Sequence, residues 1–309
     1  MSRGEQLRQS LRTFSYTHLR VKHGESDVPY VLEQIKTRKP DVVLLECAGL
    51  TVRDQSKIDA YIQSPSPEKS IGFSDPFMDL FIDSIKKMHA EDGVSPRVRI
   101  IDYTATDKRL DKYDKAIGAY QNLLREYEAQ GMSFEQACAH TQKTLLRFRD
   151  ENTRREEFMA SQILSKLEGE SARSGKVAQS QSCMIIAGMM HRKISDPLRM
   201  HKVHGEMVAQ EKPMTLSFIN EYFTRLNYGE TVTRELLENV VFERVFSLFA
   251  QTFSVFTNSS DASRNGYVRR SAHLLSSAEK QAFYTAMLRQ DKPAVVQLLK
   301  ARGIATGTA

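Results

Sequence analysis

The chain has 309 residues, of which 40% are hydrophobic and 27% are charged, and its formal net charge is +6. This composition is typical of a soluble globular protein, and the longest apolar runs fall far short of the roughly 18 residues that a membrane helix needs. Because acidic and basic residues are interleaved without a run of five or six Lys/Arg, we expect no nucleic-acid partner and no membrane partner.

The three cysteines, Cys47, Cys138 and Cys183, are odd in number and widely spaced. They form neither a zinc knuckle nor a disulfide framework, which favours a reducing compartment. Residues 1–6 contain no apolar core segment of the kind found in secretory signals. The expected localisation is therefore cytoplasmic.

The first third of the chain predicts a strand, a helix and a second strand. Residues 14–22 alternate loosely between apolar and polar side chains, which indicates a strand. Asp27 and Pro29 predict the start of a helix, which residues 39–41 (KPD) end. The unbroken apolar run 42–45 is typical of a strand buried on both faces. Together these segments predict a right-handed parallel βαβ unit.

The middle of the chain continues the alternation of strands and helices. Residues 51–74 are polar and contain prolines, so we expect a long loop with room for one short helix. A cap followed by proline at 75–76 predicts a helix, and 98–101 predicts a third strand. Helices are expected to dominate 107–169, and the Ser/Gly/Lys-rich segment 170–181 predicts an exposed loop.

The last part of the chain begins with the fourth predicted strand, 183–186, which is followed by His191. From about residue 214 onwards the pattern is helical, and the segment 236–256 is apolar on most of its surface, as in a buried helix. Residues 258–265, rich in Ser, Asn and Asp, predict a loop.

Each of the four predicted strands is followed by a polar, potentially reactive residue. These residues are His23, Glu46, Asp102 and His191. The carboxyl ends of parallel strands share one edge of a sheet, and open α/β sheets form their binding sites there. Two imidazoles and two carboxylates suit a divalent metal, or a general base with an orienting carboxylate. The alternative is that these strand ends are polar only because they emerge into solvent.

Four short segments, in the same order, resemble motifs of the EreA/ChaN-like superfamily. That superfamily unites erythromycin esterases, the haem-binding ChaN lipoproteins, the TraB/TIKI proteins and a domain of the Pasteurella mitogenic toxin. The segments are His23-Gly24, residues 39–46 (KPDVVLLE), residues 155–160 (REEFMA) and residues 188–191 (GMMH). The first segment departs from the family pattern, because its Gly24-Glu25 pair follows the histidine.

The resemblance implies an α/β fold, with a doubly wound, mostly parallel central sheet, many helices and a helical C-terminal part. We expect a single domain over residues 1–309. Its motif-bearing core would be 14–195, and 205–309 would form a helical extension or a cap over the site.

The resemblance also implies a polar pocket lined by His23, Glu46, Arg155 and His191. It favours a hydrolase, either an esterase or a metal-dependent peptidase, acting on a small-molecule or peptide substrate. Glu46 or His191 would be the base, while Arg155 stabilises developing negative charge. His23, Glu46 and His191 are the candidate ligands for Mn, Co or Zn. Alternatively, Arg155 pairs with Glu46 or Glu157 and only holds its helix.

Two other functions follow from the same resemblance. A bacterial effector or toxin, delivered into a host cell without a classical signal peptide, would use this pocket to act on a host protein. A haem-binding protein would take His18, His23, Tyr16 or Met190 as axial ligand. Separately, the i, i+3 spacing of His201 and His204 indicates either a metal pair or an exposed face on a predicted helix.

The sequence contains none of the common nucleotide or serine-hydrolase signatures. Neither GxGxxG nor a Walker motif occurs, so no phosphate-binding glycine-rich loop is predicted. The GxSxG nucleophile elbow is missing as well, which makes an ordinary serine hydrolase a poor match.

Overall fold

A computed structural model describes ten stretches of the chain: 14–21, 23–65, 71–93, 95–174, 181–188, 191, 193–209, 217–227, 229–252 and 261–304. It confirms an α/β fold with a parallel central sheet, helices on both faces and a helical C-terminal part. In the described part of the chain, every helix is too short or too polar to cross a membrane.

The central sheet has five parallel strands in the spatial order β3-β2-β4-β1-β5. They are β1 (Phe14–Val21), β2 (Val42–Leu45), β3 (Arg97–Ile100), β4 (Gln181–Gly188) and β5 (His204–Ala209). Because neighbouring strands of the sheet are parallel, the chain crosses over between them and makes no tight hairpin. The strands β2 and β4 are buried on both faces, as their continuous apolar runs predict.

The helices of the described residues are numbered here in chain order. They are α1 (Val28–Arg38), α2 (Val52–Gln63), α3 (Pro76–Asp92), α4 (Lys108–Gln121), α5 (Leu123–Ala129), α6 (Phe134–Ser174), α7 (Asp196–Met200), α8 (Phe218–Asn227), α9 (Arg234–Thr252), α10 (Asp261–Leu274), α11 (Ser277–Leu288) and α12 (Lys292–Ala301). Ser276 and Glu279 form the capping box that begins α11. Gly93 ends α3 in the left-handed conformation that favours glycine.

Two hydrophobic cores lie on opposite faces of the sheet. Successive residues of a strand point to opposite faces, so Val43 and Leu45 pack against α1, α2 and α3, whereas Leu44 packs against α6 and α7. The α6 side of the sheet carries the buried apolar residues Met159, Ile163, Leu167, Ile194 and Leu198. The carboxyl edge of the sheet is therefore enclosed by α6 on one face and by α3 on the other.

The chain divides into two compact units. One consists of Met1–Tyr113 and Asn152–Glu211 and contains the sheet; the other consists of Asp114–Glu151 and Lys212–Ala309 and is helical where the structure describes it. The helical unit has its own aromatic core, formed by Phe242, Phe246, Phe249 and Phe283. The helix α6, 41 residues long, contributes residues to both units.

Several sequence predictions are corrected by the structure. The helix α6 continues to Ser174, into the predicted loop 170–181, because Glu170 is buried and pairs with Arg97 and Arg99 of β3. Residues 175–180 lie outside the described residues. The predicted loop at 258–265 is wrong from residue 261, where α10 begins.

The strand β5 was not predicted at all. The i, i+3 spacing of His201 and His204 predicts a helix here, but His201 lies in a turn and His204 begins the strand. The pairing of β5 with β1 explains the difference, because a strand at a sheet edge takes its conformation from its neighbour's backbone.

Candidate functional site

The structure places the four predicted strand-end residues at one edge of the sheet. Asp102 follows β3, Glu46 follows β2, His191 follows β4, and His23 follows β1. These strands are consecutive neighbours in the sheet, so residues up to 168 positions apart in sequence (191 − 23) lie side by side. All four belong to the sheet-containing unit.

Glu46 is the centre of this group. Its carboxylate is 7% exposed, and Oε1 lies 3.0 Å from His191 Nε2 and 2.9 Å from Arg155 Nη2. The backbone N–H of Gly188 donates to Oε2 at 2.6 Å. Burial alone raises the pKa of Glu46, but the charges of His191 and Arg155 outweigh burial and hold that pKa well below its usual range. Glu46 is therefore ionised and already accepts three donors.

Arg155, from α6, joins Glu46 to Asp102. Its Nε donates to Asp102 Oδ1 at 2.9 Å, its Nη2 donates to Asp102 Oδ2, and its guanidinium lies 4.5 Å from the centre of the Tyr113 ring. This two-pronged contact is the geometry that arginine favours with carboxylates. Burial lowers the pKa of Arg155, but the bonds to Asp102 and the charge of Glu46 raise it above its usual range.

His191 lies between two carboxylates. Its Nε2 is 3.0 Å from Glu46 Oε1, and its Nδ1 is 3.6 Å from Glu156 Oε1, with both carboxylates less than 10% exposed. A neutral imidazole has only one N–H, so the imidazolium is the form that can donate to both acids. Burial lowers the pKa of His191, but Glu46 and Glu156 outweigh burial and raise it to about 9. His191 is thus a cation at neutral pH.

His23 is the most exposed of the four, with 19% of its side chain accessible. Its backbone φ of 59° lies in the left-handed region, which is uncommon for a residue other than glycine. The ring stacks on Phe77 of α3, with centroids 5.0 Å apart and planes within 7°. Its Nε2 lies 4.0 Å from Glu46 Oε2 and has no hydrogen-bond partner among the described residues.

These residues do not fit a metal ion in this arrangement. Two cationic side chains, Arg155 and His191, already occupy Glu46 Oε1, and a divalent ion bound there would face both positive charges. Within the described ranges, no cluster of three or more His, Cys, Asp or Glu has an arrangement that could hold a metal. We therefore derive no chemical step through a metal at His23, Glu46 and His191.

The candidate haem ligands are placed differently from the site. Tyr16 and His18 lie within β1 and are 5% and 0% exposed. His18 Nδ1 lies 3.1 Å from Ser195 Oγ, so one ring nitrogen is already engaged. Met190 lies outside the described residues. Of the four candidates, His23 is thus the described side chain that reaches solvent.

Sequence reasoning did not identify three contributors to the site. Glu156 lies 3.6 Å from the far side of His191 and forms an ion pair with it, the Gly188 N–H donates to Glu46, and Tyr113 covers Arg155. The Glu157 side chain, predicted as one partner of Arg155, lies exposed instead. Glu156 adjoins Arg155 in the sequence, but which neighbours a helical residue meets depends on packing that one segment does not specify.

Comparison of the chain with family models, with curated proteins and with solved structures gives no match.

Proposed function

We propose that this site hydrolyses an acyl substrate, with an ester of a small molecule as the first candidate and a peptide as the second. The observation that supports it is His23 Nε2, which has no hydrogen-bond partner among the described residues and lies 4.0 Å from the ionised Glu46, on a side chain that is 19% exposed. Two cations, His191 and Arg155, hold the other oxygen of that carboxylate. The resemblance to the EreA/ChaN-like superfamily favours the same chemistry.

The general base in this proposal is His23. The sequence assigned the base to Glu46 or His191, but Glu46 accepts three donors and His191 is held as a cation. A base needs a nitrogen that is not already bonded, and His23 Nε2 has no hydrogen-bond partner among the described residues and belongs to the most exposed of the four side chains. The thiol of Cys47, next to Glu46, is a poor nucleophile because burial and neighbouring carboxylates raise its pKa to about 12. Water is therefore the nucleophile.

The reaction proceeds in two balanced steps. His23 Nε2 takes a proton from water as the water oxygen bonds the acyl carbon, and the carbonyl π electrons move onto oxygen. The imidazolium of His23 is stabilised by Glu46, while the positive charges of His191 and Arg155 stabilise the oxyanion. The oxyanion then collapses, the bond to the leaving oxygen breaks, and that oxygen takes the proton from His23, which restores the base.

Two features of the site favour function over a purely structural ion-pair network. Burying three carboxylates with two cations costs desolvation that a packed apolar cluster would avoid. The left-handed backbone of His23 carries strain of about 1–3 kcal/mol, and such outliers cluster at active sites. The desolvation cost concerns the charged side chains around Glu46, and the backbone strain concerns His23, all of which take part in the proposed reaction.

The test is hydrolysis of p-nitrophenyl acetate by the purified full chain. We expect His23→Asn to lower kcat/KM by about 100-fold or more, because general-base catalysis contributes 10²–10⁴-fold. Its melting temperature should be nearly unchanged, since the Asn tolerates a left-handed backbone. The matched control is His204→Asn, at an exposed histidine outside the site, which should keep full activity.

Two outcomes would contradict the proposal in different ways. Full activity in His23→Asn would remove the base from His23 while leaving hydrolysis intact. A wild-type chain that hydrolyses neither p-nitrophenyl esters nor peptide p-nitroanilides would remove the hydrolase function itself.

A further inference from the structure

The segment that carries His191 is anchored at its far end by a buried hydrogen bond. Four residues after His191, Ser195 Oγ lies 3.1 Å from Nδ1 of His18, which belongs to the sheet strand β1. Both residues are buried, at 1% and 0% exposure, and they are 177 positions apart in sequence. The bond therefore ties the chain that follows β4 to the neighbouring strand.

Ser195 occupies a helix-capping position without capping the helix. It is the N-cap residue of α7, where a serine hydroxyl normally accepts a backbone N–H of the first turn. Its side chain makes no such bond, and its hydroxyl lies at hydrogen-bond distance from His18 Nδ1 instead. The Ser195 hydroxyl thus bonds a side chain of β1 and not the backbone of its own helix.

A histidine at position 18 is less favourable for packing in the sheet than an apolar side chain would be. Its neighbours in register are Ile185 on β4 and Met207 on β5, so an apolar side chain would suit the position. Its Nε2 is buried without a hydrogen-bond partner among the described residues, which costs stability. Burial and the positive charges of Arg20 and His191 lower the pKa of His18 to about 3, so the ring is neutral. What the histidine adds is the bond to Ser195.

We propose that His18 and Ser195 form a latch that positions His191 against Glu46. They are positioning residues, because neither touches the carboxylate. The segment leaves β4 at Gly188 and is fixed again at Ser195, which restricts where the His191 ring can lie. A displacement of about 1 Å at a catalytic group can cost about 100-fold in rate. The catalytic consequence rests on the proposed hydrolysis, whereas the anchoring does not.

The test compares the wild type with the double variant His18→Leu/Ser195→Ala. This variant replaces both partners by apolar side chains, so the melting temperature should not fall. We expect kcat on p-nitrophenyl acetate to fall about tenfold or more with an unchanged KM, because the latch acts on orientation and not on substrate binding.

Hydrogen exchange gives a readout that needs no activity. The amides of Asp196 and Arg199, which bond Lys193 and Ser195 carbonyls, should exchange about tenfold faster in the double variant, while the rest of the sheet is unchanged. The control is Thr17→Val, which removes the adjacent hydroxyl and its 3.3 Å bond to Arg38 on the opposite face of β1. It should change neither kcat nor these amides.

Two results would overturn the latch, and a third would separate it from the proposed function. Unchanged exchange at Asp196 and Arg199 would show that the bond does not anchor the segment. A lower melting temperature with faster exchange throughout the sheet would assign the pair a merely structural role. If the wild type lacks hydrolase activity but the double variant loosens this segment alone, the proposed function fails and the anchoring stands.

Discussion

At the scale of single residues, the site is a set of side chains whose charges are fixed by their neighbours. Glu46 is kept ionised by Arg155 and His191, and His191 is kept protonated by Glu46 and Glu156. Removing one member leaves another buried charge unpaired, which costs far more than the pair contributes. The members therefore act as a unit, and effects of single substitutions here should not add.

Gly188 is required at the end of β4 by close approach. A Cβ at this position would lie 3.3 Å from Glu46 Oε2 and 3.4 Å from His191 Cδ2, and both groups are held by their partners. We expect Gly188→Ala to push the two side chains apart, which should lower the proposed hydrolysis of p-nitrophenyl acetate about tenfold or more. Stability measured by urea unfolding should fall by about 1–3 kcal/mol.

The matched control for this substitution is Gly169→Ala in α6. A Cβ there meets nothing within 4 Å, and glycine is a poor helix former, so stability should rise by about 1 kcal/mol. If Gly188→Ala hydrolysed p-nitrophenyl acetate as fast as the wild type, the proposed hydrolysis would not depend on the close contact between Glu46 and His191.

At the scale of elements, a side chain of α2 covers the edge of the sheet formed by β3. The outer edge of β3 is covered by the Gln55 side chain of α2, whose Nε2 donates to the Val98 carbonyl at 2.9 Å and whose Oε1 accepts the Ile100 N–H at 3.0 Å. The amide thus reproduces the hydrogen bonds of a neighbouring strand, which protects the edge against pairing with another chain.

We expect Gln55→Leu to destabilise the sheet-containing unit by about 1–3 kcal/mol, because the Ile100 N–H loses its acceptor. The Val98 carbonyl keeps a bond from Arg99 Nη1 and contributes less. Urea unfolding and hydrogen exchange at Ile100 measure the effect, with Gln63→Leu at the exposed end of the same helix as the control. Equal exchange at Ile100 in both variants would contradict the role of Gln55.

The elements that the sequence predicts are those with a local signal. Four strands have continuous or alternating apolar runs, and caps followed by proline mark the starts of α1 and α3. The strand β5 has no such pattern: its residues His204 to Met207 are exposed, and its conformation comes from pairing with β1. Likewise the end of α6 depends on Glu170, whose arginine partners are about seventy positions away in the chain.

The candidate site could be predicted only in part for the same reason. Strand ends placed His23, Glu46 and His191 near one another, because parallel strands share a carboxyl edge. Arg155 was identified through a family resemblance, and its bond to Asp102 depends on how α6 packs on the sheet. The charge states of the two histidines that matter most, buried neutral His18 and buried cationic His191, arise from neighbours that no local pattern encodes.

At the scale of the whole molecule, these two histidines make opposite contributions to stability as pH changes. His191 has a folded pKa of about 9, above its ordinary value of 6.5, so its contribution is complete below pH 6.5 and is lost as pH rises through 9. His18 has a folded pKa of about 3, so between pH 6.5 and 3 the unfolded chain binds a proton that the folded chain does not bind. The His18 contribution therefore destabilises the fold increasingly as pH falls through this range. The two pH dependences have opposite signs and cancel near pH 6.5, where their combined contribution is most favourable.

The pH dependence can be resolved by subtracting variants from the wild type. The difference in unfolding free energy between wild type and His191→Gln should shrink as pH rises from 6.5 to 9, because only the wild type loses an imidazolium. The advantage of His18→Leu over the wild type should instead grow as pH falls from 6.5 towards 3, by up to about 1.4 kcal/mol per pH unit.

Subtraction is needed because other groups titrate in the same range. Glu243, in the helical unit, has a pKa that burial raises to about 7, so its protonation favours the folded chain between pH 4.5 and 7 and opposes the His18 effect. That contribution is common to wild type and both variants and cancels in the differences. A pH-independent difference for His191→Gln would mean that the His191 ring is neutral in the folded protein. It would also remove the cation that the proposed hydrolysis places beside the oxyanion.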